Sequence, residues 1–124
     1  METLTTREEE IMQILWTLKK AFVKEIIAEI QGEKPPYNTV SSVVRILKKK
    51  GFVGYNQFGN TYQYYPKISK SKYKKFTFGE MMKDYFDNSY KKVVSFMVEN
   101  DELNTDEISE LENIIKEGKK KSDK

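Results

Sequence analysis

The sequence predicts a mainly α fold with a small β-hairpin wing and a second helical region behind it. Three observations predict it. Apolar residues recur at i, i+3, i+4, i+7 in three successive segments before residue 50. Around Gly59 the pattern changes to short aromatic and β-branched runs. Helical spacing then returns between Phe78 and Ile115.

Each element can be justified in turn. Thr5, followed three residues on by Glu8, forms a capping box that opens the first helix. Ile11, Ile14, Leu15 and Leu18 supply its stripe, widened by Met12 and Trp16, and Trp16 reads as core. Lys19-Lys20-Ala21 breaks the pattern, and Phe22 supplies a short extended link. Val23, Ile26, Ile27 and Ile30 repeat the helical spacing in a second helix, which Gly32 is expected to end. Pro35-Pro36 blocks an early start to the third helix, Asn38 is its expected N-cap, and Lys48-Lys49-Lys50-Gly51 closes it. Val40, Val43, Val44 and Leu47 form its core stripe. Its other face carries Asn38, Ser41, Ser42 and Arg45, then Lys48 and Lys49. Short hydroxyl and amide groups let a helix sit deep in a DNA major groove, and arginine grips guanine or phosphate. An ordinary solvated face would read the same way on this segment alone.

Beyond Gly51, runs 52–57 and 61–65 flank the loop Phe58-Gly59-Asn60, a hairpin signal. Its tyrosines read as packing for the hairpin faces, and Asn60 and Thr61 at the tip as contacts to a DNA backbone or minor groove. Three helices followed by a hairpin is the order of a winged helix-turn-helix. Residues 1–70 are assigned to it.

Charge supports that assignment. Residues 1–75 hold 14 Lys/Arg against 7 Asp/Glu, whereas residues 76–124 hold 8 against 12. Between Lys34 and Gly79 stand 10 basic residues and no acidic one. A window purged of carboxylates suits a polyanion. A membrane surface would ask for a basic amphipathic helix with large exposed apolar residues, and none is seen. The segment Lys67–Lys75 reads either as a solvated connection, the first turn of a helix, or a phosphate contact.

Composition excludes much else. There is no cysteine and no histidine, which removes disulfides, thiolate metal sites, Ser-His triads and the commonest zinc ligand. No apolar run approaches a membrane span, and METLTTREEE lacks a signal-peptide pattern, so the expected location is the cytoplasm. No catalytic residue, metal site or cofactor is expected.

In residues 71–118, Phe78, Met81, Met82, Tyr85 and Phe86 form one stripe. Tyr90, Val93, Val94 and Met97 form a second after Asp87-Asn88, with Phe96 and Val98 broadening it. Asn104, with Glu107 three residues later, caps a last helix lined by Ile108, Leu111, Ile114 and Ile115. Three short helices cannot seal faces this wide, so a second copy is expected to cover the surplus. The expected dimer contacts are Met81, Met82, Tyr85, Phe86, Tyr90, Val94, Met97 and Leu111. Residues 119–124 read as a disordered tail.

EEEIMQILW at 8–16, NTVSSVVRILKKKGFV at 38–53, YQYYP at 62–66 and ENDELNTDEISELENII at 99–115 together resemble the penicillinase repressor family. The resemblance covers nearly the whole chain. It implies a homodimeric repressor on an inverted-repeat, double-stranded DNA operator, with base-reading positions at Asn38, Thr39, Ser41 and Ser42. Ser41 stands where many members carry arginine, and the cysteine motif of the copper-responsive branch is absent. The resemblance also implies relief of repression by a sensor protease that cuts the dimerisation region at an Asn-Phe bond. The matching bond is Ser95–Phe96, and Phe96 reads equally as a packed interface residue.

Two such helices about one DNA turn apart would give affinity that one copy lacks. Arg45 and the lysines at 48–50 would supply salt-sensitive binding, and the short polar side chains selectivity. The rival readings are a winged-helix module for protein interaction or non-specific nucleic-acid binding, and an enzyme resting on carboxylates, lysine or tyrosine. The second lacks any phosphate-binding glycine loop.

Overall fold

The computed structural model describes residues 1–100 and 102–122, with side chains described through residue 118. The elements run α1 (Thr6–Leu18), β1 (Ala21–Phe22), α2 (Val23–Glu29), α3 (Tyr37–Lys49), β2 (Val53–Phe58), β3 (Thr61–Pro66), α4 (Lys70–Phe86), α5 (Tyr90–Glu99) and α6 (Thr105–Ser122). They form two compact units, Met1–Phe78 and Gly79–Lys124.

In the first unit α1, α2 and α3 pack their stripes together, burying Ile11, Met12, Leu15, Ile26, Val40, Val44 and Leu47 completely. The capping box is formed: the Thr5 amide donates to Glu8 Oε1 at 2.8 Å and the Glu8 amide to Thr5 Oγ1 at 3.2 Å. Lys19 leaves the helix at φ 72, and β1 follows. Sequence reading placed a link at Phe22. The structure makes it a third strand, with the sheet ordered β1-β3-β2, all antiparallel, and Ala21 opposite Tyr64. The wing is thereby tied to the helical core.

Three boundaries differ from expectation. The second helix ends at Glu29, not Gly32, because Ile30 turns extended and buries its side chain. Lys34 Nζ then covers the freed carbonyls of Ala28 and Ile30, at 2.8 and 2.6 Å. The third helix starts at Tyr37 with Pro36 as N-cap, so Asn38 lies inside the first turn and caps nothing. Proline's fixed φ already holds the half-extended geometry a cap needs. The hairpin loop is two residues, Gly59-Asn60, because Phe58 pairs with Thr61; Gly59 sits at φ 61.

Where Lys67–Lys75 left a choice open, α4 begins at Lys70 and Tyr73 enters the core. The Tyr73 ring lies 5.7 Å from Phe52 and 5.9 Å from Trp16. Its hydroxyl accepts from the Leu4 amide at 2.9 Å, and Trp16 Nε1 donates to the Ile68 carbonyl at 2.9 Å. These ties carry the first unit to Phe78, eight residues past the expected edge of the DNA-binding region.

In the second unit, Asp87 and Asn88 interrupt the helices at φ 51 and 59. Ser89 accepts from the Lys92 amide to start α5. Asn104 Oδ1 accepts from the Glu107 amide at 2.8 Å to start α6. Among the described residues of this unit, Met82 alone is buried. The backbone of α6 is helical through Ser122; the side chains of the expected tail at 119–124 lie outside the described residues.

Candidate nucleic-acid interface

Burial of Val40, Val44 and Leu47 decides which side of α3 faces outward. Asn38, Thr39, Ser42, Arg45, Lys48 and Lys49 are exposed and Ser41 is half-buried, so the residues expected to read bases do share one open face. Ile46 stands on that face too, 47% exposed. The sequence reading placed it on neither face. No side chain caps the start of α3 and no acidic residue occupies its first turn, so the positive end of the helix dipole is unopposed.

The cations divide by what holds them. Arg45 folds back along its helix, with Nε 3.4 Å from the Ser41 carbonyl and Nη2 3.4 Å from Ser42 Oγ, contacts long enough to release easily. Lys48 Nζ stands 4.1 Å above the Tyr55 ring. Lys50 differs from the expectation of a third phosphate-binding lysine. Its ammonium lies 3.0 and 2.9 Å from the two carboxylate oxygens of Glu8, a residue only 4% exposed. Burial pushes the Glu8 carboxyl upward, but the Thr5 amide, Lys50 and the Thr5 hydroxyl together bring it below its usual value. The same hydrogen bond holds Lys50 above its usual value. That lysine braces α3 against α1.

At the wing tip Asn60 is exposed. The Thr61 hydroxyl donates to the Phe58 carbonyl at 2.8 Å, and Gln57 Nε2 to the Gly59 carbonyl at 3.1 Å, which stiffens the turn. Because Tyr55 pairs with Tyr64 and Gln57 with Tyr62, the three tyrosines share the sheet face toward α3. Tyr55 and Tyr62 meet edge to face at 4.9 Å. With Arg45, Lys48 and Tyr64 they line a cleft of about 230 Å³. Sequence reading treated these rings as packing. A two-residue turn would have fixed the register and put them on one face.

The residues expected at a dimer contact are spread over the second unit. Tyr85, Tyr90, Val94 and Met81 are exposed, at 80, 67, 45 and 37%. Phe86, Met97 and Leu111 are half-buried, and Met82 is already buried within its own chain. Ser95–Phe96 lies in the middle of α5, and the Phe96 ring stands 5.8 Å from Phe86. Among the described residues no acidic cluster is arranged to hold a metal ion, and no helix is long and apolar enough to cross a membrane.

Residues 4–117 match the profile of the family described as penicillinase repressor. The methicillin resistance regulatory protein MecI of Staphylococcus aureus (strain N315) is 32% identical over 113 residues, 90% of this chain and 92% of that one. The penicillinase repressor of Bacillus licheniformis is 26% identical over 117 residues, 94% of this chain and 91% of that one. The solution structure of the DNA-binding domain of the repressor BlaI aligns with a TM-score of 0.51 at 25% identity, over 57% of this chain and 88% of that one. These relatives are named as repressors and regulatory proteins, not as enzymes. With a family match that runs from Leu4 through most of α6, the chain belongs to the penicillinase repressor family.

Proposed function

We propose that this chain is a sequence-specific DNA-binding repressor that acts in the cytoplasm as a homodimer on an inverted-repeat operator. The observation that carries the reading is the open polar and cationic face of α3, set beside a stiff wing within a window free of carboxylates. Family membership supports it. Asn38, Thr39, Ser41 and Ser42 would meet base edges, Arg45 a guanine or a phosphate, and Lys48, Lys49, Asn60 and Thr61 the backbone. The exposed apolar side chains of α4, α5 and α6 support a second copy as the partner, with Ile114 and Ile115 still 65 and 63% exposed.

Fluorescence anisotropy against the chain's own upstream DNA and a shuffled duplex, at low and near-physiological salt, tests this. The expected result is native-duplex binding that survives salt and saturates at two chains per site. Ser42→Ala and Arg45→Ala should each weaken it by about 1–3 kcal/mol. Equal binding to both duplexes, lost together as salt rises, would favour the non-specific or protein-interaction module.

Relief of repression is assigned to cutting at Ser95–Phe96 by a sensor protease. The bond lies within a helix, so cutting requires α5 to open locally. Mass spectrometry of the chain recovered from cells under cell-wall stress should show fragments ending at Ser95. An intact chain under every stress tried would remove this part of the reading.

A further inference from the structure

We propose that the cleft between α3 and the wing seats one backbone phosphate of bound DNA, with Tyr64 as its uncharged donor and Arg45 and Lys48 as its charges. The proposal rests on the DNA-binding reading and adds to it a contact from the base of the wing.

Tyr64 is the first observation. It is only 4% exposed and packs in the core, where phenylalanine would serve as well. Its hydroxyl has no hydrogen-bond partner among the described residues, yet no side-chain oxygen there is sealed away without one. The hydroxyl therefore reaches solvent, and Tyr64 is one of the residues that line the cleft. Water accepts from such a phenol in the free protein, and a phosphate oxygen entering the cleft can take that water's place. Burial holds its proton more tightly than usual, though Arg45 opposes the shift, so the group remains a donor at neutral pH.

The cations are the second observation. Among the described residues neither Arg45 nor Lys48 has a carboxylate partner. Arg45 is held only by two 3.4 Å contacts, and Lys48 by the face of Tyr55 at 4.1 Å. Both can turn to an anion without breaking an ion pair. Tyr55 and Tyr62 wall the cleft with rings and place no competing negative charge in it. One hydroxyl donor, one guanidinium and one ammonium around a small opening match the oxygens of a single phosphate.

The test is anisotropy over a salt series with wild type, Tyr64→Phe and Lys48→Gln, on native and shuffled duplexes. The same duplexes are also prepared with one uncharged methylphosphonate linkage stepped along the backbone. Tyr64→Phe should lose about 10-fold in affinity on both sequences alike, with unchanged melting temperature and salt slope. Lys48→Gln should flatten the slope by about one per bound protomer. One methylphosphonate position should weaken wild type most, and should weaken Tyr64→Phe by a smaller factor there, because Arg45 and Lys48 still lose the charge while the hydroxyl contact is already gone. Wild-type affinity in Tyr64→Phe would overturn the proposal, as would sensitivity of that variant equal to wild type at every methylphosphonate position. The DNA-binding reading is tested separately by the wild-type chain: if it holds neither duplex, that reading falls, whatever the variants do.

Discussion

The two compact units are made from similar apolar stripes, and only one of them closes. In Met1–Phe78 the stripes of three helices meet one another, a three-stranded sheet and the Tyr73 ring, leaving Ile11, Leu15, Val44 and Phe52 at most 1% exposed. In Gly79–Lys124 three helices carry faces as wide, but Tyr85, Tyr90, Ile114 and Ile115 remain more than 60% exposed. A helical stripe is therefore no measure of burial by itself. What matters is whether enough elements exist to cover it. The first unit can hold a surface rigid, and the second leaves much of its apolar surface exposed.

If that contrast is right, damage to the first unit should be large and independent of concentration. Leu47→Ala removes a fully buried side chain beneath α3. It should cost about 2–5 kcal/mol. Urea unfolding followed by Trp16 fluorescence should show the midpoint shift equally at low and high protein concentration. A shift that fades at high concentration would mean that this unit too is held by association.

Damage to the second unit should instead appear as lost assembly. Ile114→Glu with Ile115→Glu puts two charges on the exposed apolar face of α6. Desolvating them in an interface should weaken dimerisation by at least ~100-fold, about 3 kcal/mol. Sedimentation should show the mass halved, while the Trp16 unfolding midpoint at low protein concentration stays put. An unchanged dimer would place the contact on α4 or α5.

The same contrast explains what was legible in the sequence. Stripes, capping boxes and the change of period at Gly51 are local signals, and they located every helix and the wing. The third strand was not legible, because a two-residue strand such as Ala21–Phe22 has no period and exists only through β3. Pro36 took the capping role from Asn38, since one backbone angle outweighed a side-chain preference. At the site, the exposed face of α3 followed from its stripe. The tyrosine cleft and the loss of Lys50 to Glu8 depended on contacts between residues far apart in the chain.

A smaller effect tests how α1 is fastened. Thr5→Ala removes one side of its capping box and should cost about 1 kcal/mol. Glu8 adds a pH dependence. Its folded carboxyl is held below the usual 4.5, so its contribution is present above that value and is lost as pH falls through the folded one. Lys50, held above its usual 10.5, contributes below that value and loses its contribution as pH rises through the folded one. Glu8→Gln should therefore flatten both the acid and the alkaline limb of a melting-temperature profile. If only the acid limb flattens, Glu2, whose carboxylate lies 4.0 Å from the Lys50 ammonium, sustains the alkaline one.

The finest distinction lies between two neighbouring lysines. Lys49 is exposed, and Lys50 is engaged by a buried carboxylate in the core-facing direction. In a chain that binds DNA through α3, Lys49→Ala should reduce the salt slope of binding by about one per protomer and leave the melting temperature alone. Lys50→Ala should do the reverse, lowering the melting temperature because Glu8 loses its counter-charge, with little change in salt slope. The pair carries the same formal charge one residue apart, so composition and net charge cannot tell them apart. Only the side of α3 on which each residue emerges does, and matching slopes for the two variants would show that Lys50 leaves Glu8 when DNA is bound.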